Sequence, residues 1–225
     1  MIQALTRRWH ELSIPSATVR LAVAFLRQVV HSWASEAAFS TCGHYRWWLK
    51  RSLGQCERTL LFIGLNPSTA TASEDDPTLR RLLGFCCSWG YGHLLVVNLF
   101  ARISQSPALL RHCADPIGDA NDDQLLTRAR QWSESPNWDL WFGWGCGGTL
   151  RRRDLAVQAL LERHRQNRIR NSPDARGPLS LGLTREGHPC HPLYMPGKEV
   201  LRPFKWASGA NIGHPESMDL GITVH

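Results

Sequence analysis

The chain has 225 residues, 43% hydrophobic and 20% charged, enough for one domain with a full core and a short appendage. No apolar run reaches the roughly 18 residues of a membrane helix, and no signal-peptide flanks are present, so no membrane partner is expected and the cytoplasm is the expected location. Lysine and arginine total 26 against 19 acidic residues, giving +7 and a pI near 9.4; nearly all of the excess is arginine, which suits a polyanionic partner such as DNA through bidentate phosphate contacts.

In chain order, residues 1–36 form an N-terminal extension with a helix expected from about Ser16 to Ala34, read from the spacing of Val19, Leu21, Ala22, Leu26, Val29 and Val30. An α/β domain is expected over 37–206. It opens with an aromatic segment, Phe39 to Trp48, that suits a small strand or hairpin. Strand Leu60 to Leu65 precedes a helix over Pro77 to Trp89. Strand Leu94 to Leu99 precedes helices over Ser106 to His112 and Gly118 to Trp132. Strand Asp139 to Gly143 precedes a basic helix, Leu150 to Arg168, and a last strand runs from Leu179 to Leu183. Alternating strands and helices predict a three-layer sandwich around a four-stranded parallel sheet. The tail, 207–225, is expected to be irregular.

Ligands of open α/β sheets bind at the carboxyl ends of the strands. Gly64-Leu65-Asn66-Pro67-Ser68, Val97-Asn98-Leu99-Phe100 and Trp144-Gly145 stand at such ends, and His191-Pro192-Leu193-Tyr194 lies a few residues beyond the last strand. An asparagine offers donors and an acceptor without charge, so Asn66 can orient a water. A turn at Asn-Pro is the plainer alternative. Asp76 before Pro77 reads first as a helix N-cap, which leaves Asp75 as the carboxylate for chemistry. Asn98, ending a buried strand, needs partners that a pyrimidine edge would supply; local backbone bonds are the alternative. Trp89, Tyr91 and Phe100 are candidate stacking surfaces, although each alone is more often core. Pro189 and Pro192 around His191 oppose a helical metal site, and the loop suits one fixed hydrogen bond to developing negative charge. Gly143 to Gly148 fits either a phosphate approach or close packing. Arg80, Arg81, Arg102, Arg151 and Arg152 are candidate phosphate contacts, with a solvated helix face as the alternative.

The seven cysteines, Cys42, Cys56, Cys86, Cys87, Cys113, Cys146 and Cys190, are odd in number and hold no C-x-x-C. Reduced thiols are expected, with an iron–sulfur cluster the minor reading; no metal and no cofactor are required.

The motifs GLNPSTA, DDPTLRR, WGYG, VVNLFA, ND, WG and HPLY resemble those of a bacterial and phage family of unknown function. More distantly, their order resembles the uracil-DNA glycosylase superfamily, with Gly64 to Ser68 similar to the Gly-Ile-Asn-Pro-Gly motif of its mismatch-specific thymine/uracil branch. That resemblance implies a uracil-DNA glycosylase-like fold and hydrolysis of the N-glycosidic bond to a uracil, thymine or modified pyrimidine base. Asn66 would then position the water, Asn98 read the base and His191 stabilise it as it departs. Gly64, Leu65, Pro67, Ser68 and Tyr194 would line the base site. Leu193-Tyr194-Met195-Pro196 stands where several branches carry a Ser-rich wedge. Two other readings fit the residues: a hydrolase of a free nucleoside or nucleotide, and a non-catalytic module that binds nucleic acid or a modified base.

Overall fold

Apolar runs buried on both faces dictate the middle of the sheet. In the computed structural model, which describes residues 34–68 and 74–205, Thr59–Gly64 forms β3 and all six of its residues are buried. The helix expected from Ser16 and the tail expected over 207–225 lie outside the described residues. The other strands are β1 (Ser35–Phe39), β2 (Arg46–Ser52), β4 (His93–Asn98), β5 (Trp138–Phe142), β6 (Pro178–Ser180) and β7 (Arg202–Pro203). The helices are α1 (Pro77–Trp89), α2 (Pro107–Arg111), α3 (Asn121–Glu134) and α4 (Arg153–Asn171), with 3₁₀ turns at Gly145–Arg152 and Pro192–Tyr194.

The fold is mixed α/β. Among the described residues its sheet has seven strands in the order β1-β2-β4-β3-β5-β6-β7, which corrects the expected four. The pairs β4–β3, β3–β5 and β5–β6 are parallel, whereas β1–β2, β2–β4 and β6–β7 are antiparallel. The aromatic segment causes the difference on one side. It continues into a full hairpin, β1–β2, that pairs along β4 and extends the sheet beyond the helix-linked strands. On the other side the two-residue β7 adds to β6.

Alternation along the strands divides the core. Leu60, Phe62, Leu94, Val96 and Trp141 pack against α1, and Leu61, Ile63, Leu95, Val97 and Phe142 pack against α3 and α4. Helix α1 begins where Asp76 Oδ1 accepts from Leu79 N at 2.6 Å with Pro77 in the first turn. It ends at Gly90, whose φ of 72° is the left-handed cap that glycine adopts without strain. In α4, Arg168 is buried and donates to the carbonyls of Trp132, Ser135, Trp138 and Arg176 at 2.5–3.1 Å, fastening the end of α3, the start of β5 and the approach to β6.

One irregularity bears on the site. Ala38 pairs with Trp48, but Phe39 pairs with Arg46, so Trp47 is an extra residue in β2. Such a bulge re-aims the side chains on one side of it. Trp48 packs towards α3, and beyond the bulge Arg46 joins the α1 face that Leu49 occupies.

Candidate active site

The carboxyl ends of β3 and β4 and the His191 turn enclose a cavity of about 50 Å³. Asn66, Asn98 and His191, three residues from three distant stretches of chain, all line it. Among the other expected residues, Gly64, Leu65 and Ser68 line it as well.

Gly64 and Asn98 are register partners across the parallel β3–β4 pair. A Cβ at Gly64 would lie 2.9 Å from Asn98 Oδ1 and 2.9 Å from the Phe62 ring, so only glycine lets that amide and that ring approach. Gly143 admits the other edge of Phe62, where a Cβ would lie 2.5 Å from Cε2. The ring, itself 1% exposed, thus forms part of the cavity wall between two glycines.

Asn98 is 3% exposed, and its Nδ2 has no hydrogen-bond partner. Its backbone is held firmly: Asn121 Nδ2 donates to the carbonyls of Asn98 at 3.2 Å and Leu99 at 3.0 Å, and Arg153 Nε donates to Leu99 O at 2.8 Å. The guanidinium of Arg153 also pairs with Asp122, so the Asn-Asp motif of the sequence anchors the end of β4. Asn66 donates through Nδ2 to Pro67 O at 2.8 Å and Ser104 O at 2.9 Å. Both amide hydrogens are thereby engaged, and Oδ1 is what this side chain still offers, as an acceptor.

His191 caps the Pro192–Tyr194 turn, with Nδ1 accepting from Leu193 N at 3.4 Å. An accepting Nδ1 assigns the proton to Nε2, which makes the neutral ring a donor. Burial opposes the imidazolium and lowers the His191 pKa below its ordinary 6.5, against a smaller opposing pull from the Asp76 carboxylate. The turn is tied down by Arg81, which donates to the carbonyls of Pro192 at 3.4 Å and Met195.

Several expectations are redirected. Asp76, not Asp75, lines the cavity, where its Oδ2 accepts from the Ser68 hydroxyl. Asp75 Oδ1 instead receives Arg51 Nη2 at 2.8 Å and Nε at 3.2 Å, an ion pair with a buried arginine. Trp89 stacks on Phe85 at 4.8 Å, Tyr91 is buried with its hydroxyl on Asp139 at 2.5 Å, and Phe100 is fully buried; none of the three lines the cavity. Tyr194 is 85% exposed, its ring 5.7 Å from that of His191. Pro67 contributes its carbonyl to Asn66 and Ser104 N rather than a wall.

The arginines divide similarly. Arg81 holds the His191 turn, Arg80 donates to Asp75 O, and Arg151 donates to the carbonyls of Cys113 and Ala114. Arg102 lies 5.5 Å over the Tyr45 ring, beside a groove shared with Ser104. Arg151 and Arg152 both have positive φ, 54° and 52°, and both are exposed. The glycine run is explained by packing: a Cβ at Gly147 would lie 2.5 Å from Leu65 and one at Gly148 2.3 Å from Trp144. Among the described residues no group of three or more His, Cys, Asp or Glu is placed to hold a metal ion, and no helix is long and apolar enough to cross a membrane.

Sequence reasoning missed Arg46, Phe62 and Thr78 as wall residues and Asn121 and Arg153 as anchors. Of these, Asn121 stood in the Asn121-Asp122 motif and Thr78 in DDPTLRR; Arg46, Phe62 and Arg153 carried no signal.

Residues 46–193 match the model of a family described as Protein of unknown function (DUF1643), and the chain belongs to that family. The matched stretch contains every residue that lines the cavity, from Arg46 to His191. No curated protein and no solved structure matches the chain.

Proposed function

We propose, for this member of the DUF1643 family, that the cavity holds a pyrimidine-like base and that the protein hydrolyses the N-glycosidic bond to it. The observation that carries this reading is the buried, unpartnered Nδ2 of Asn98 in a cavity shared with Asn66 and His191. An unpaired buried donor costs about 1–3 kcal/mol, which a carbonyl of a bound ring would offset. At about 50 Å³ the cavity is smaller than the roughly 150 Å³ of one that takes benzene, so a ring enters only as the walls give way around it. The volume is far below the roughly 300–1,000 Å³ of pockets that take whole drug-sized ligands, so sugar and phosphate would stay at the mouth. A base enclosed in this way would have left its stack. The distant likeness of the motifs to uracil-DNA glycosylases supports the same assignment of roles.

As the bond breaks, positive charge builds on the sugar and negative charge on the ring. Asn66 Oδ1 accepts a hydrogen from the attacking water and fixes its direction. Neutral His191 donates through Nε2 to a ring oxygen as charge collects there, a contact of the kind worth about 2.7–4 kcal/mol to a transition state. Asn98 selects the ring. DNA is the proposed carrier of the base, consistent with the charge of +7.

The test is base release from single- and double-stranded oligonucleotides carrying uracil, mismatched thymine, hypoxanthine or a hydroxymethylated pyrimidine, read as alkali-labile sites. Release that Asn66→Ala abolishes supports the reading. Salt-sensitive binding without release by the wild-type chain would replace it with a binding module. A second reading, a free nucleotide as substrate, draws on the engagement of Arg81 and Arg151 with loop carbonyls, which occupies donors that a DNA backbone would need. It predicts turnover without polymer and little dependence on salt, whereas DNA contacts weaken steeply with salt.

A further inference from the structure

The bulge at Trp47 delivers a charged group to a place where the strand's alternation would not. Arg46 is 4% exposed, lies on the α1 face beyond that bulge, and lines the cavity with Asn98 and His191. Its backbone is fixed by a bond from Arg46 N to Ala101 O at 3.0 Å, beside the end of β4. Burial lowers the guanidinium pKa only to about 10, so it is charged at neutral pH. Asp76 favours that charge and Arg51 opposes it, while Arg51 is itself paired with Asp75. Asp76 has its two oxygens on Leu79 N and the Ser68 hydroxyl. His191 is held neutral, so it brings a hydrogen bond to the cavity but no net charge.

We propose that Arg46 is a further catalytic residue: its guanidinium stabilises the negative charge on the departing base, so that the cavity prefers a ring anion to the neutral ring. The proposal rests on the hydrolase reading and divides its labour. His191 supplies direction, and Arg46 supplies charge. The C1′–N bond breaks with its electron pair passing to the ring. The water oxygen bonds to C1′ and loses a proton to solvent, and the ring anion takes up a proton from solvent on release. Because the charge on the ring grows as the bond breaks, a fixed cation beside it binds the transition state better than the ground state.

The test pairs kinetics with binding. Base release by wild type, Arg46→Gln and Arg46→Lys is measured with uracil and with 5-fluorouracil, whose ring anion is the more stable. Arg46→Gln is expected to lose about 10²–10³-fold on uracil and clearly less on 5-fluorouracil, with Arg46→Lys partly restored. A merely structural Arg46 would lower both rates by the same factor, and that result overturns the proposal. Calorimetry on the wild-type chain, which needs no variant to fold, compares free uracil with barbiturate, a planar ring that is an anion at neutral pH. Binding of barbiturate at least tenfold tighter is expected, and equal or weaker binding overturns the proposal. Anion-selective binding without base release from any oligonucleotide would uphold the anion site and overturn hydrolysis, so the two failures are distinct.

Discussion

Two polar clusters stand at opposite ends of the same sheet and differ in how far their hydrogen bonds are satisfied. At the amino end of β5, Asp139 is 6% exposed, and its Oδ2 accepts from the Tyr91 hydroxyl at 2.5 Å and Arg58 Nη2 at 3.3 Å, with Arg176 at 3.7 Å. The carboxylate is surrounded, and Tyr91 is held protonated because burial and the bond to Asp139 raise its pKa. At the carboxyl end, Asn98 keeps an unpartnered donor, Asn66 an available acceptor, and His191 a proton on Nε2, all around a cavity. A closed network rigidifies and specifies a fold. An open one, here of uncharged amides and a histidine, is a site awaiting a partner. Saturation of hydrogen bonds is what separates the two.

The sharpest way to break this contrast is to truncate both ends. Asn66→Ala and His191→Ala should each lower base release by about 10²–10³-fold while the thermal midpoint stays close to that of wild type. Loss of folding in both would make the open cluster structural like its counterpart. Asp139→Ala should do the reverse. Denaturant titration should register a loss of about 1–3 kcal/mol, since Tyr91 loses its acceptor, with base release by the folded fraction retained. Gly64→Ala tests the close approach at the open end. With 2.9 Å to Asn98 Oδ1, overpacking should cost about 1–3 kcal/mol and displace the amide that reads the ring, raising KM more than it lowers kcat.

The smallest effect is on pH. The folded pKa of His191 is depressed, so its contribution to stability is full above the unfolded value of 6.5 and is lost as pH falls through the folded value. Base release should be level above 6.5 and decline below the depressed pKa, as protonation places a hydrogen on Nδ1 and removes the acceptor for Leu193 N. A His191→Gln variant should lack that acid limb. An acid limb that survives the substitution would assign the titration elsewhere.

The open cluster was legible in part because its principal residues stand at strand ends. Asn66 and Asn98 interrupt apolar runs, and His191 is fixed between prolines. The rest was hidden for physical reasons. Phe62 reads as core because it is core, and it is Gly64 and Gly143 on either side that make room for its ring beside the cavity. Arg46 reads as one cation in an aromatic strand, because the extra residue that turns it inward leaves no mark in a period-2 pattern. Asp75 and Asp76 are adjacent, and the choice between them was made by Arg51, 24 residues upstream. Trp89, Tyr91 and Phe100 had the chemistry of stacking surfaces, yet burial took Tyr91 and Phe100, and packing on Phe85 and Trp141 took Trp89.

Arg168 carries a consequence for the life of the folded chain. Its guanidinium leaves water only when four carbonyls, three within residues 132–138 and one at Arg176, are already in place. A contact with such demands belongs to the late side of the folding barrier. Its removal should therefore quicken unfolding and leave the folding rate nearly unchanged. The residue that closes the back of the molecule acts as a timer, setting how long the open cluster at the front stays assembled.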